Sequence, residues 1–372
     1  RLVDARHGEH DVIELITITL TDETGVTGIG YTFTGGHNGA AIHKSIEADI
    51  VPLLAGEDAD QIAAIWDKIW WACHYGGRGG PMVLALSAID IALWDLKAQR
   101  ANLPLWRLLG GYSSSVKCYA GGIDLHLEGD ELLATVDAAI STGQTAYKMK
   151  VGRDILSEDV ARLATIRRHV GDDFTLMIDA NMKYRANEAI TAARAFQPSM
   201  PLWFEEPVPA DDLTSMATVA SGTSIPVATG ERLTTVSEFA AVLKANAAQI
   251  LQPNLGRSGG ILQGKKIASI AETHHALIAP HCYCGPVVAA ANIALATCSP
   301  NFLILECIGT FDGFHADLLE TPIKWEDGKV IPSKEPGLGV ILNEEVARAH
   351  PYSGEELHLI PEINPQPISE DL

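Results

Sequence analysis

The chain has 372 residues, 47% of them hydrophobic, and a formal net charge of −20. That length and apolar content can bury a large core and exceed one typical domain. The acidic balance lacks the electrostatic footprint of a nucleic-acid or anionic-membrane binder, although a metal and lysines could reverse the field locally for a small anionic substrate.

The chain opens on Arg1-Leu2-Val3 without an initiator methionine, so further residues are expected to precede it. Residues 12–20 and 26–34 are rich in β-branched residues, and Thr21-Asp22-Glu23-Thr24-Gly25 between them predicts a hairpin link. Helical patterns follow near 40–54, 59–72 and 83–101, the last with Ile89, Leu93 and Leu96 at helical spacing. Strands followed by helices, rather than alternating with them, predict a separate α+β domain over 1–112. Gly35-Gly36 and Gly76-Gly77-Arg78-Gly79-Gly80 match neither a P-loop nor a dinucleotide fingerprint and are read as loops of that domain.

After Gly110-Gly111, apolar strands alternate with amphipathic helices. Strand candidates end near Gly121, Lys150, Asp179, Glu205, Glu231, Asn254, His281 and Glu306. Asp179, Glu205 and Glu231 recur at equal intervals of 26 residues, a length that suits one strand, one helix and two short loops. The tail from 316 carries Pro322, Pro332, Pro336 and Gly337 and no further βα unit, so it is expected to fold back on the first domain. The fold class is an α/β barrel, a modified (β/α)7β TIM barrel over 113–315. An α+β capping domain is formed by the N-terminal region and the tail, 316–372.

Apolar Pro286–Cys298 is too short for a membrane span and contains Asn292. No signal peptide is visible. The cysteines at 73, 118, 282, 284, 298 and 307 form no disulfide framework, and His281-Cys282-Tyr283-Cys284 lacks the other ligands of a zinc site. Reduced thiols in a cytoplasmic protein are the expectation.

In such a barrel the C-terminal strand ends converge, bringing Asp179, Glu205 and Glu231 to one mouth. Three anions cannot share a small site without a cation, and hard oxygen donors with room for water and substrate point to Mg2+, one per subunit. Lys148 and Lys150 alternate onto one face of the second strand, where each ammonium should depress the other's pKa and leave one neutral as a base. His281 ends the seventh strand, across the mouth from that pair. Glu306 ends the eighth, after an apolar run that argues against a casual surface residue. A lysine pair, three metal-binding carboxylates and an opposing histidine fit removal of a proton α to a carboxylate, with the resulting enediolate stabilised by the ion.

The sequence resembles the mandelate racemase subgroup of the enolase superfamily over essentially its whole length. The resemblance is carried by Ile89-Asp90-Ile91-Ala92-Leu93-Trp94-Asp95-Leu96-Lys97, Lys148-Met149-Lys150-Val151-Gly152, Met177-Ile178-Asp179-Ala180-Asn181, Trp203-Phe204-Glu205-Glu206-Pro207 and Ala228-Thr229-Gly230-Glu231. It implies Mg2+ on Asp179, Glu205 and Glu231, and Lys150 and His281 as acid/base catalysts on opposite faces of the substrate. Lys148 and Glu306 would contact the substrate carboxylate and enediolate, and Asn181 would lie near a substrate hydroxyl. Loops around residues 6–10 and 32–37 would close the site.

One departure stands out. The subgroup usually orients its histidine with an aspartate in a Gln-Pro-Asp context, whereas here the string is Gln252-Pro253-Asn254. An amide oxygen could still accept a bond from the imidazole but offers it no negative charge, which disfavours a two-way racemase. His7, His10 and His37 make the cap loops polar and suit a polyhydroxylated substrate, with His7 and His37 as substrate contacts. The expected reaction is dehydration of a sugar acid, an aldonate or aldarate, to a 2-keto-3-deoxy acid. Lys150 would abstract the proton and His281 would act as the acid.

The alternative is a racemase, epimerase or cycloisomerase of a related acid or its lactone. Lactonisation of the muconate kind fits less well, because no lysine stands at or beside Asn254. A non-catalytic relative is opposed by the retained Lys148, Lys150, His281 and three carboxylates. A zinc hydrolase would need a His-x-His pair, which the 13 histidines do not supply. Members of the subgroup form dimers and octamers, so a homo-oligomer is expected.

Overall fold

The computed structural model describes residues 2–10 and 13–352, apart from the side chains of Glu9 and His10. Asp11, the His10 side chain and the end of the tail, 353–372, lie outside the described residues.

Two hairpins begin the chain. Strands β1 (Leu2–Asp4) and β2 (Gly8–His10) pair antiparallel, and β3 (Glu14–Thr21) and β4 (Thr27–Thr34) pair in register from Glu14 opposite Thr34 to Thr21 opposite Thr27. The link between the latter is closed by Asp22, whose Oδ1 accepts from the backbone N–H of Thr24 and of Val26. Helix α1 (Gly39–Ser45) runs through a π turn at Ile46–Ile50 into α2 (Val51–Leu54). Then come α3 (Ile62–Cys73), α4 (Pro81–Arg100) and α5 (Leu105–Leu108).

Helix α4 is apolar on nearly every side because it is central: one face packs on Ile16, Ile42 and Ile65, while β4 lies across another. Gly28 and Gly30 permit that approach. A Cβ on either would stand 2.3 or 2.2 Å from the carbonyl oxygen of Ala92 or Ala88.

Among the described residues, eight parallel strands follow: β5 (Val116–Gly121), β6 (Ala146–Lys150), β7 (Thr175–Asp179), β8 (Phe204–Glu205), β9 (Val227–Thr229), β10 (Ile250–Leu251), β11 (Leu277–Ile278) and β12 (Leu305–Cys307). Each pairs with the next from β5 to β11, and β12 pairs with β5. The ring closes through Leu303, whose N–H donates to the Ile278 carbonyl at 2.8 Å. Seven helices fill the connections: α6 (Gly129–Ser141), α7 (Leu156–Val170), α8 (Ala186–Phe196), α9 (Leu213–Gly222), α10 (Val236–Lys244), α11 (Gly260–Thr273) and α12 (Pro286–Cys298). This is the (β/α)7β barrel. No helix among the described residues is long and apolar enough to cross a membrane.

Each strand, or the residue beside it, contributes one side chain to a buried plug of Tyr119, Ala146, Met177, Trp203, Ala228, Ile250, Ala279 and Ile304. The tail divides its contacts. Its hairpin β13 (Trp325–Glu326) and β14 (Lys329–Val330) pairs with the start of β5, so this part joins the barrel rather than the cap. Further on, Gly337 exchanges backbone hydrogen bonds with Leu103 and Leu105, and the Leu338 N–H donates to Asp95 at 2.7 Å. Two short helices, α13 (Phe314–Asp317) and α14 (Glu344–Ala349), flank these segments.

Cap and barrel are joined at a helix end. Helix α11 begins at a glycine pair that offers no side-chain cap of its own. Ser87 Oγ accepts from the Gly259 N–H at 2.8 Å and Asp90 Oδ1 from the Leu262 N–H at 3.1 Å, so α4 caps it instead.

Candidate active site

Alternation along the strands builds the site directly on the plug. Two residues beyond Ala146, Met177, Trp203 and Ile304, on the same face, stand Lys148, Asp179, Glu205 and Glu306, with Lys150 two further on. Glu231, Asn254 and His281 lie not at strand ends but in the loops past β9, β10 and β11. Asp179 and Glu205 are fully buried and the Glu231 side chain is 11% exposed. Oxygens of the three lie within 4.8 Å of one another. That spacing and donor set suit a hard divalent cation.

The lysines are locked into this acid cluster. Lys148 Nζ lies 2.8 Å from Glu205 Oε1, 2.7 Å from Glu306 Oε1 and 3.4 Å from Asp179 Oδ2; Lys150 Nζ lies 2.5 Å from Asp179 Oδ2. The expectation of a mutually depressed, partly neutral pair fails for this arrangement. Burial and the neighbouring ammonium do disfavour charge on Lys150, but Asp179, Asp4 and Glu231 together outweigh them, and its pKa lies above the ordinary lysine value. Lys148 is likewise raised: burial opposes its charge, and Glu205 and Glu306 overcome that opposition. Burial and the adjacent Asp179 push Glu205 well up, whereas Lys148 and His281 hold Glu306 down at about 2 against its own burial.

His281 Nε2 stands 3.4 Å from Glu231 Oε2 and 3.6 Å from Glu306 Oε2. Its Nδ1 faces the amide nitrogen of Asn254 at 3.0 Å, not the amide oxygen. Two backbone groups impose that orientation: Asn254 Oδ1 accepts the Gly256 N–H at 3.0 Å, and Asn254 Nδ2 donates to the His281 carbonyl at 3.2 Å. The amide oxygen, which the sequence allows as an acceptor from the ring, is therefore turned to the Gly256 N–H instead. Nδ1 must be the acceptor, so neutral His281 carries its proton on Nε2. Burial lowers its pKa, against the pull of Glu231 and Glu306.

Lys150, His281, Glu231, Glu306 and Asn181 share one cavity of about 110 Å³ with cap residues Asp4, His7 and Phe33. A larger cavity of about 570 Å³ lies between the tail and α12, away from all of these groups. Among the described residues Asn181 Oδ1 is buried with no hydrogen-bond partner, in a residue with φ 42° two positions past Asp179 on the rim. His7 is positioned by Asp4, with Nδ1 3.0 Å from Asp4 Oδ2, and the Arg6 guanidinium donates to the Met182 carbonyl. His37, by contrast, is exposed on the loop after β4 and does not line the cavity, so the substrate contact expected of it has no geometric basis here.

The sequence reading passed over Arg232, Glu206 and Arg257. Arg232 Nε donates to Glu206 Oε2 at 3.1 Å and its Nη2 lies 3.4 Å from Glu231. Glu206 is fully buried, and burial together with Glu231 pushes it up to about 8. Ionisable residues adjoining each predicted ligand, in Phe204-Glu205-Glu206-Pro207 and Gly230-Glu231-Arg232, were the available signal.

Comparison with known proteins agrees with this geometry. Residues 5–110 match the mandelate racemase / muconate lactonizing enzyme N-terminal domain, and 131–346 match the enolase C-terminal domain-like family. The chain is 42% identical to a 3,6-anhydro-α-L-galactonate cycloisomerase of Streptomyces coelicolor, over 93% of each chain. It superposes on a racemase from Streptomyces coelicolor A3(2) with bound magnesium at TM-score 0.88, with 40% identity over 94% of this chain and 95% of the other. It also superposes on an L-talarate dehydratase from Polaromonas sp. JS666 complexed with Mg and L-glucarate at TM-score 0.83, with 35% identity over 90% and 88% of the two chains. A capped (β/α)7β barrel holding three convergent carboxylates between a lysine pair and a histidine, matched along both domains, places this chain in the mandelate racemase / muconate lactonizing enzyme family of the enolase superfamily.

Proposed function

We propose that the chain removes the proton α to the carboxylate of a sugar acid and expels the β-hydroxyl as water, giving a 2-keto-3-deoxy acid. The observation that carries this reading is the convergence of Asp179, Glu205 and Glu231 on one point, with Glu231 lining the cavity it shares with Lys150 and His281. Asp179, Glu205 and Glu231 would hold Mg2+, which would stabilise the negative charge developing on the substrate carboxylate and would compete with Lys150 for Asp179, a carboxylate that holds the lysine charged.

Lys150 then takes the α-proton. Lys148, held in place by Glu306, contacts the substrate carboxylate from the floor of the site. Asn181 offers its free amide oxygen to a substrate hydroxyl. His281, neutral and protonated on Nε2, hydrogen-bonds the departing hydroxyl, as a neutral imidazole can. Lys150 passes the proton it acquired on to the departing hydroxide, so that water leaves and the amine is neutral again. The same tautomer cannot accept a proton at Nε2, which argues against two-base racemisation.

A second reading, cycloisomerisation of an anhydro sugar acid, is supported by the 42% identical relative. Incubating matched aldonic, aldaric and anhydro-aldonic acids with Mg2+ in D2O and following products by NMR separates the two. A 2-keto-3-deoxy product establishes dehydration; conversion without loss of water establishes isomerisation; no conversion of any acid defeats both. The reading extends to a homo-oligomer, dimer or octamer, by family resemblance, and to the cytoplasm, supported by six free cysteines.

A further inference from the structure

Arg257 lies in the loop between β10 and α11, whose backbone is firmly held. Thr32 Oγ1 donates to the Gly256 carbonyl at 2.7 Å, the Arg257 and Ser258 N–H groups both donate to the Asn254 carbonyl at 2.9 Å, and Ser87 holds the Gly259 N–H. Its guanidinium is another matter. The group borders the same cavity as Lys150 and His281; among the described residues its Nε is buried with no hydrogen-bond partner, and it lies over the Phe33 ring, 5.9 Å from the centroid.

Every other cation of the site is matched. Lys148 and Lys150 face Asp179, Glu205 and Glu306, and Arg232 faces Glu206 and Glu231. Among the described residues Arg257 alone of these forms no ion pair; burial and the charge of Arg232 lower its pKa, with Glu231 and Glu206 pulling the other way. A half-buried cation with its Nε shut off from water, held by a rigid loop at a substrate cavity, calls for an anion supplied by the ligand.

We infer that Arg257 binds a second carboxylate, at the far end of the substrate, and that the preferred substrate is therefore an aldaric acid with a carboxylate at each end. The inference rests on the sugar-acid reading above and makes it specific. One carboxylate is committed to the acid cluster and Lys148. A primary hydroxyl at the other end would leave the guanidinium charge uncompensated, whereas a carboxylate can accept two of its N–H groups side by side. Arg257 is thus the residue that separates diacid from monoacid.

The test compares kcat/KM of the full chain with Mg2+ on hexaric acids and on the hexonic acids of the same configuration, which differ only in that terminal group. The diacid should be preferred by about 10- to 100-fold, the range of a charge-assisted hydrogen-bond pair. Arg257→Met should lower kcat/KM for the diacid by about that factor more than for the monoacid, and Arg257→Lys, which keeps the charge but not the fork, should retain part of the preference. Binding of the diacid to catalytically silenced Lys150→Ala protein, by calorimetry, should weaken in parallel. Monoacids consumed as well as or better than diacids, or an Arg257→Met variant that slows both alike, would overturn the inference while leaving the sugar-acid reading intact. Failure of every acid of both kinds would remove the two together. The wild-type comparison decides the question even if the variants do not fold.

Discussion

Asn254 presents its amide nitrogen, not its oxygen, to Nδ1 of His281, across 3.0 Å. The side chain is held there by the Gly256 N–H on one side and the His281 carbonyl on the other. One amide thereby decides which ring nitrogen of His281 bears a proton.

Asn254→Asp should reverse that decision. A carboxylate accepts from Nδ1 and adds negative charge, so the imidazolium becomes stable to higher pH than in the parent, where burial holds His281 down. The 15N shifts of the ring should report a proton on Nε2 only in the parent and on Nδ1 in the variant. Identical shifts in both would show that the amide does not set the tautomer.

Lys150→Ala should abolish exchange of the substrate α-proton with D2O, a loss of about 10²- to 10⁴-fold for removal of a positioned base. Mg2+ affinity should stay close to the parental value, because the three carboxylates remain. Full exchange in the variant would reassign the base to another residue.

Lys148→Met should destabilise the metal-free protein by about 3–5 kcal/mol near neutral pH, the usual cost of removing one partner from a buried charge cluster. Lys148 is 1% exposed and bridges Glu205 and Glu306, which face each other without it. Urea unfolding should show the deficit shrinking when Mg2+ is added and when pH falls far enough to protonate the acids. A deficit that neither condition changes would point to lost packing instead.

Asp95 supplies a pH dependence remote from the site. Burial raises its pKa to about 6, while the N–H groups of Ile29 and Leu338 pull the other way. Between about 4 and 6 the folded protein holds a proton there that the unfolded chain has lost. Its contribution to stability is therefore complete below about 4 and fades as pH rises through about 6. Asp95→Asn should flatten that decline in thermal unfolding, with a general loss of about 1–3 kcal/mol because the Ile29 N–H loses its acceptor. An unaltered slope would count against Asp95 as the titrating group.

The barrel was legible because Met177-Ile178-Asp179 and Trp203-Phe204-Glu205 each write strand, plug and ligand into three residues. Glu231, Asn254 and His281 were found but placed on strands, since a short strand and the first residues of its loop look alike in an apolar run. The charge state of the lysines is not legible in the sequence because it depends on acids from β7, β8 and β12 together, not on the Lys148/Lys150 pair alone. His37 was chosen from a polar loop whose composition does not say which way a side chain faces. Arg257 went unnoticed because lacking a partner is a property of the folded molecule and leaves no trace in spacing. The orientation of Asn254 is of the same kind, set by two backbone groups.

The dependence of α11 on Ser87 and Asp90 has a bearing on engineering. Transplanting the front domain of a cousin onto this barrel, a natural route to new selectivity, would uncap the helix that follows the Arg257 loop unless the donor brings equivalent hydroxyl and carboxylate groups. Chimeras should therefore be cut so that α4 travels with its own partner helix, making the modular boundary run through the middle of the molecule rather than along the linker.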